Sequence, residues 1–172
     1  DQNFEQGLCC NMVKFHGALY NDAVVNAELA QRLVSWLKKT QIRTVIAPHD
    51  SELGRRVAGA GLELVAEAFL DRRYRMGEEG ALQLVHRSED GAVFDAVEDA
   101  IRQAESIMHG YVILADGTEQ GVVADTLCVH SDSDLSWPLL NMLCNPFEML
   151  EPGTCRLVRR PVYGRQHLGV TP

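Results

Sequence analysis

Short apolar runs and amphipathic stretches alternate along most of the chain. Residues 8 to 15 (LCCNMVKF) form an apolar run of strand length, and 22 to 39 (DAVVNAELAQRLVSWLKK) place Val24, Val25, Leu29, Leu33, Val34 and Leu37 at helical spacing behind Asp22 as a cap. The pattern then repeats. Residues 43 to 47 (RTVIA) predict a second strand ending at Pro48, His49 and Asp50, and 51 to 60 (SELGRRVAGA) predict a helix closed by Gly61. A third strand over 62 to 69 (LELVAEAF) runs into a polar loop of Asp71, Arg72, Arg73, Tyr74 and Arg75, with Gly77 and Gly80 beyond. Residues 94 to 108 predict another amphipathic helix, 110 to 123 a hairpin around an Asp-Gly turn, and 125 to 130 (DTLCVH) a further strand. Past Asp132 the period fades. Pro138 and Pro146 interrupt the apolar segment 135 to 150, and proline does not belong inside a helix. The chain therefore divides into an ordered region, 1–132, and a divergent, proline-containing tail, 133–172.

Strands alternating with helices imply an α/β fold with mainly parallel strands and one hairpin, in which ligands sit at the carboxyl ends of the strands. Polar groups fall at those ends: Lys14 and His16, His49 and Asp50, Asp71 and Arg72, His130 and Asp132. Within VKFHGALYN (13–21), residues two apart in a strand point the same way, so Lys14 and His16 are expected to project together, with Gly17 turning the chain behind them.

Composition narrows the partners. The 172 residues carry a net charge of -8, which repels phosphate backbones and anionic lipid heads, so neither nucleic acid nor a membrane is expected. No run approaches bilayer-spanning length. Basic character is concentrated at the end, where Arg156, Arg159, Arg160 and Arg165 face a single Glu151, as in a solvated tail. Five cysteines, with no CxxC pair, fit a reducing cytoplasm. Cys128 lies in an apolar strand and reads as core, while the adjacent Cys9 and Cys10 point to opposite faces. The chain opens at Asp1 with no signal-peptide layout, so it reads as a piece of something longer.

Three stretches in order, VKFHGALYN (13–21), EAFLDRRYRMGEEGALQLVHRSEDGAVF (67–94) and ADTLCVHSD (124–132), together resemble the LamB/YcsF family. The resemblance covers about residues 10–132 and matches the second half of the family pattern. Its amino-terminal motifs, an Asp-x-Asn-Cys-Asp-x-Gly-Glu run and two Gly-x-His elements, have no counterpart. Phe15 stands where the family has proline, and Ser131 where it has glycine. The resemblance implies a partial β/α barrel of the glycoside hydrolase/deacetylase type. It also implies a share in ATP-dependent hydrolysis of the lactam 5-oxoproline, alongside 5-oxoprolinase subunits B and C.

Opening an unstrained lactam calls for a donor to the amide oxygen, a cation for the substrate carboxylate and an acid for the departing nitrogen. Lys14 or Arg72 would be the cation or oxyanion donor. His16 and His130 are the acid/base candidates, with Asp132 or Asp71 orienting one of them. Asp71, Arg72 and Tyr74 are the expected substrate-binding group. The chain has no GxxxxGK[ST] loop, so ATP is expected to bind with the partner subunits. A divalent metal held by His16, His49, His130 and nearby aspartates is the alternative, as in a metal-dependent amidohydrolase or deacetylase, although no ligand spacing marks it. A non-catalytic remnant or interaction module is the reading from another class. The open barrel edge would then be covered by another chain or a second copy.

Overall fold

The computed structural model describes residues 10–77 and 80–144. The basic tail over 151–172, Cys9, Cys155 and Pro146 lie outside the described residues.

Four parallel strands form the central sheet, in the order β1 (Met12–Lys14), β2 (Thr44–Ala47), β3 (Glu63–Phe69) and β8 (Thr126–Cys128). No closed barrel is formed among the described residues. Register fixes the two faces. Lys14 pairs with Ile46 and Ile46 with Val65, while Glu67 pairs with Thr126 and Phe69 with Cys128. Since side chains alternate along a strand, these residues share one face, and Val13, Val45, Ala47, Leu64 and Ala66 share the other. The second face carries the helices: Val45 and Ala47 pack with Ala30, Val34, Leu37, Leu53 and Val57 in one buried cluster. Leu37 and Leu53 are fully buried, each contributing about 1.5–3 kcal/mol of apolar burial.

The helix expected over 22 to 39 is two helices, α1 (Gly17–Val25) and α2 (Ala27–Leu37). Asp22 lies inside α1, and the cap is Asn26, whose extended backbone breaks the helix and whose side chain accepts from the Leu29 N–H at 2.9 Å. Periodicity alone runs through such a break, because Ala23 before it and Ala30, Val34 and Leu37 after it enter the same buried cluster. Gly17, at φ +60, supplies the left-handed turn between β1 and α1. Helix α3 (Glu52–Gly59) starts at Ser51, whose hydroxyl accepts from the Gly54 N–H. Gly54 itself allows a close approach, since a Cβ there would stand 2.3 Å from the Pro48 carbonyl oxygen.

Between β3 and β8 the chain makes a long excursion. The stretch read as a polar loop contains two strands, β4 (Tyr74–Met76) and β5 (Leu82–Leu84), paired antiparallel, so there are two such pairs rather than one hairpin. Tyr74 and Leu84 turn toward the core while Arg75 and Gln83 face out, and three arginines concealed that alternation in the sequence. Helix α4 (Val97–Met108) follows, then the antiparallel pair β6 (Tyr111–Ile113) and β7 (Glu119–Gly121) around the expected Asp-Gly turn. Beyond Asp132, where no element could be assigned, stands helix α5 (Ser136–Cys144). Pro138 falls in its first turn, where backbone N–H groups have no helical partner to lose. Leu139 is fully buried in a cluster with Leu70, Phe94, Ala100 and Ala104.

Candidate active site

The carboxyl ends of β1, β3 and β8 bring together two polar groups around one aromatic ring. The first group is built on Glu67, a carboxylate set in the apolar run of β3 and only 2% exposed. Its Oε2 accepts from the Lys14 ammonium at the end of β1, and its Oε1 accepts from the Tyr20 hydroxyl of α1 at 2.7 Å. Lys14 Nζ also lies 3.2 Å from Cys128 Sγ at the end of β8, and 5.8 and 5.5 Å from the centroids of the Tyr20 and Phe69 rings. Opposite charge, two aromatic faces and a thiol therefore hold one ammonium.

The second group is Asp71 with His130. Asp71 is 1% exposed, and its carboxylate accepts from the His130 backbone N–H at 2.9 Å and meets His130 Nδ1 at 2.9 Å. A carboxylate can only accept, so the proton sits on Nδ1 and Nε2 is left for chemistry. The imidazole stacks on Phe69, with centroids 5.5 Å apart and planes at 13°. Phe69 thus touches both groups.

Burial works to lower the Lys14 pKa, but hydrogen bonds to Glu67 and Cys128 and the pull of the Glu67 charge outweigh it, leaving the ammonium above the usual lysine value. Burial pushes the Cys128 thiol up, with Lys14 opposing. The Tyr20 and Tyr74 phenols are raised chiefly by burial, so both stay neutral donors or acceptors.

The other candidates fall as follows. His16 is exposed at the start of α1, and its side chain makes no capping hydrogen bond. Asp132 does not orient His130; it pairs in bidentate fashion with Arg87, whose hydrogen bonds hold its carboxyl at about 2. Arg72 is buried, donating to the carbonyls of Val85 (2.8 Å) and Ala92, and burial lowers its pKa. It holds the β4–β5 excursion against the end of β3. Tyr74 is buried, and its oxygen accepts from the Phe69 N–H at 2.6 Å. His49 and Asp50 pair locally and are exposed. Among the described residues, no three or more His, Cys, Asp or Glu side chains are grouped as metal ligands would be.

Glu67 and Tyr20 were not singled out from the sequence, although a signal was present: Glu67 is a charge on the inward register of a run, LELVAEAF, whose end is otherwise apolar. Gln103 was also missed. Buried on α4, its amide donates to the carbonyls of Phe69 (2.6 Å) and Arg72 (2.8 Å), bracketing Asp71.

An open α/β sheet with an acid, a cation and an oriented imidazole along the strand ends defines the class: a protein with a polar rim at the carboxyl ends of parallel strands. The LamB/YcsF family model matches residues 3–151, and the chain belongs to that family. The match runs past both ends of the resemblance read over 10–132 and takes in α5. Among the relatives, the 5-oxoprolinase A subunit of Coprothermobacter proteolyticus is 40% identical over 130 residues, 74% of this chain and 48% of that protein. Its counterpart from Paracidovorax citrulli is 41% identical over 129 residues, covering 74% and 50%. The solved lactam utilization protein from Thermus thermophilus superposes with a TM-score of 0.69 at 30% identity, covering 84% of this chain and 58% of that one. The chain thus spans about half the length of the curated relatives it matches.

Proposed function

We propose that this chain contributes the Lys14 and His130 rim to a centre that opens the lactam ring of 5-oxoproline, within a 5-oxoprolinase completed by subunits B and C. One observation carries the reading. Lys14, from β1, and His130, beyond β8, both lie 5.5 Å from the centroid of the Phe69 ring, so a cation and an oriented imidazole stand against one aromatic ring at the strand ends. In this reading His130 Nε2 takes a proton from the water whose oxygen bonds to the ring carbonyl carbon, while Lys14 donates to the carbonyl oxygen as charge develops there. His130 then gives that proton to the ring nitrogen as the C–N bond breaks, and Asp71 fixes the imidazole's orientation. His16 would meet substrate from the β1 end. Arg72 and Tyr74 would act by holding the loop that carries Asp71.

ATP does not fit this rim. The Lys14 charge is already met by Glu67, and the carboxylates of Glu67 and Asp71 would repel phosphate. Nucleotide binding is therefore assigned to the partner subunits, and no step of this account passes through it. The chain is read as cytoplasmic; among the described residues no helix is long and apolar enough to cross a membrane. A second reading, a non-catalytic interaction module, is favoured by one observation: Lys14 is engaged by Glu67 and Arg72 by backbone carbonyls, so both cations already have partners.

The test is a titration of the chain, with subunits B and C present, with 5-oxoproline, followed by nuclear magnetic resonance of labelled lysine and histidine side chains. The proposal expects the Lys14 and His130 signals to move together while those of Lys38 and His109 stay fixed. Saturating 5-oxoproline that moves neither would favour the module.

A further inference from the structure

The Lys14 ammonium is useful as a donor only if it stays charged and points one way. Lysine is a poor choice on both counts, since it has a long, flexible stem and loses its proton readily when buried. The groups facing it come from four elements: Glu67 and Phe69 on β3, Tyr20 on α1, Cys128 on β8 and, behind Glu67, Tyr74 on β4. Among them Glu67 has both oxygens engaged, one by Lys14 and one by Tyr20. A carboxylate gripped from two sides cannot swing, and so it fixes the ammonium that it holds.

From this geometry we infer that Glu67 and Tyr20 are positioning residues, which together hold Lys14 as a charged hydrogen-bond donor aimed at the rim and not as a base or nucleophile. The inference deepens the proposed function and rests on it only for the role of the donor; the arrangement itself can be tested without turnover. Tyr20 also contributes its ring, so it both anchors the carboxylate and walls the cation. The neutral Cys128 thiol adds a weak contact that leaves the charge on nitrogen.

The chain has three lysines, Lys14, Lys38 and Lys39, so selectively labelled lysine gives three signals, with Lys14→Arg identifying the first. In the unaltered chain the Lys14 ammonium protons should exchange with water at least about ten times more slowly than those of Lys38 and Lys39, and Lys14 should titrate above the usual lysine value. In Glu67→Gln, burial remains while the attraction is lost, so the Lys14 midpoint should drop below the usual lysine value. Tyr20→Phe keeps the ring and removes the hydroxyl; it should speed Lys14 ammonium exchange. With partner subunits, Glu67→Gln should lower kcat about a hundredfold with KM within about threefold, and Glu67→Asp should restore part of kcat. Ammonium protons as exposed as those of Lys38, or a Lys14 midpoint that Glu67→Gln leaves in place, would overturn the inference. The exchange arm needs no variant, so it decides even if Glu67→Gln does not fold. Slow exchange without turnover in any chain would instead count against the proposed function alone.

Discussion

Replacing Lys14 with methionine would leave the Glu67 carboxylate inside the protein without a counter-charge. The Glu67 side chain is 1% exposed and that of Lys14 21%. Breaking a buried pair by removing one partner costs roughly 3–5 kcal/mol, because the stranded charge keeps its desolvation penalty. Here Tyr20 still donates to Oε1 and Lys14 is partly solvated, which places the loss near the lower end, about 3 kcal/mol. For a urea slope of about 2 kcal/mol per molar, the unfolding midpoint would fall by about 1.5 M. Glu67→Gln alone also strands a charge, that of Lys14, but this side chain is already 21% exposed where it stands, so a smaller loss of about 1–2 kcal/mol is expected. The double variant removes both charges and should recover at least about 2 kcal/mol of the summed losses, the mark of direct coupling. The assay is urea unfolding of the four chains followed by circular dichroism. Strictly additive losses, or a Lys14→Met loss under about 1 kcal/mol, would refute the claim that the two groups form one buried unit.

Other outcomes follow from the same structure. Gln103→Leu should cost about 2–4 kcal/mol in urea unfolding, since it strips the donors from two buried carbonyls on either side of Asp71. Leu139→Ala should cost about 2–4 kcal/mol, because Leu139 is a fully buried residue of α5, and a neutral result would mean that α5 does not belong to the core. Asp71→Asn should lower turnover at least about a hundredfold while KM stays within about threefold, since the amide favours the wrong imidazole tautomer. Asp132 should titrate at about 2, as read from its carboxyl carbon signal. Its folded value is depressed below the ordinary 3.8, so the Arg87 pairing contributes above that value and is lost as pH falls toward 2. Asp132→Asn should return Arg87 to ordinary arginine behaviour and leave the unfolding midpoint at neutral pH almost unchanged, as for an exposed pair.

Much of the fold was legible because burial on one face leaves a period in the sequence. The strands at 44–47, 63–69 and 126–128 and the helices at 52–59 and 97–108 all carry it. Local chemistry hid the rest. Asn26 interrupts a helix whose two sides feed one buried cluster, Ala23 before it and Ala30, Val34 and Leu37 after it, and the arginines around Tyr74 mask a strand that is short and solvated on one side. Pro138 reads as a breaker unless its place in the first turn is known. At the site, His130, Lys14 and Asp71 were legible from their positions at strand ends. Which carboxylate serves which cation was not, because Glu67 to Lys14 and Asp71 to His130 are contacts across 53 and 59 residues. Neither spacing nor alternation carries information at that range. Arg72 is the instructive case: the sequence offers it as a free cation beside Asp71, whereas its guanidinium is used up on backbone carbonyls.

The central claim is that Lys14 and His130 act on one substrate at this rim. The most direct measurement is 5-oxoproline-dependent glutamate release by the chain together with subunits B and C, run beside Lys14→Met and His130→Gln. The account predicts turnover by the unaltered chain and a loss of at least about a hundredfold in each variant. It also predicts a double variant scarcely worse than either single one, as expected for groups acting in a single step. Turnover retained in both single variants, or absent from the unaltered, folded chain under conditions where a full-length relative is active with the same partners, would contradict it.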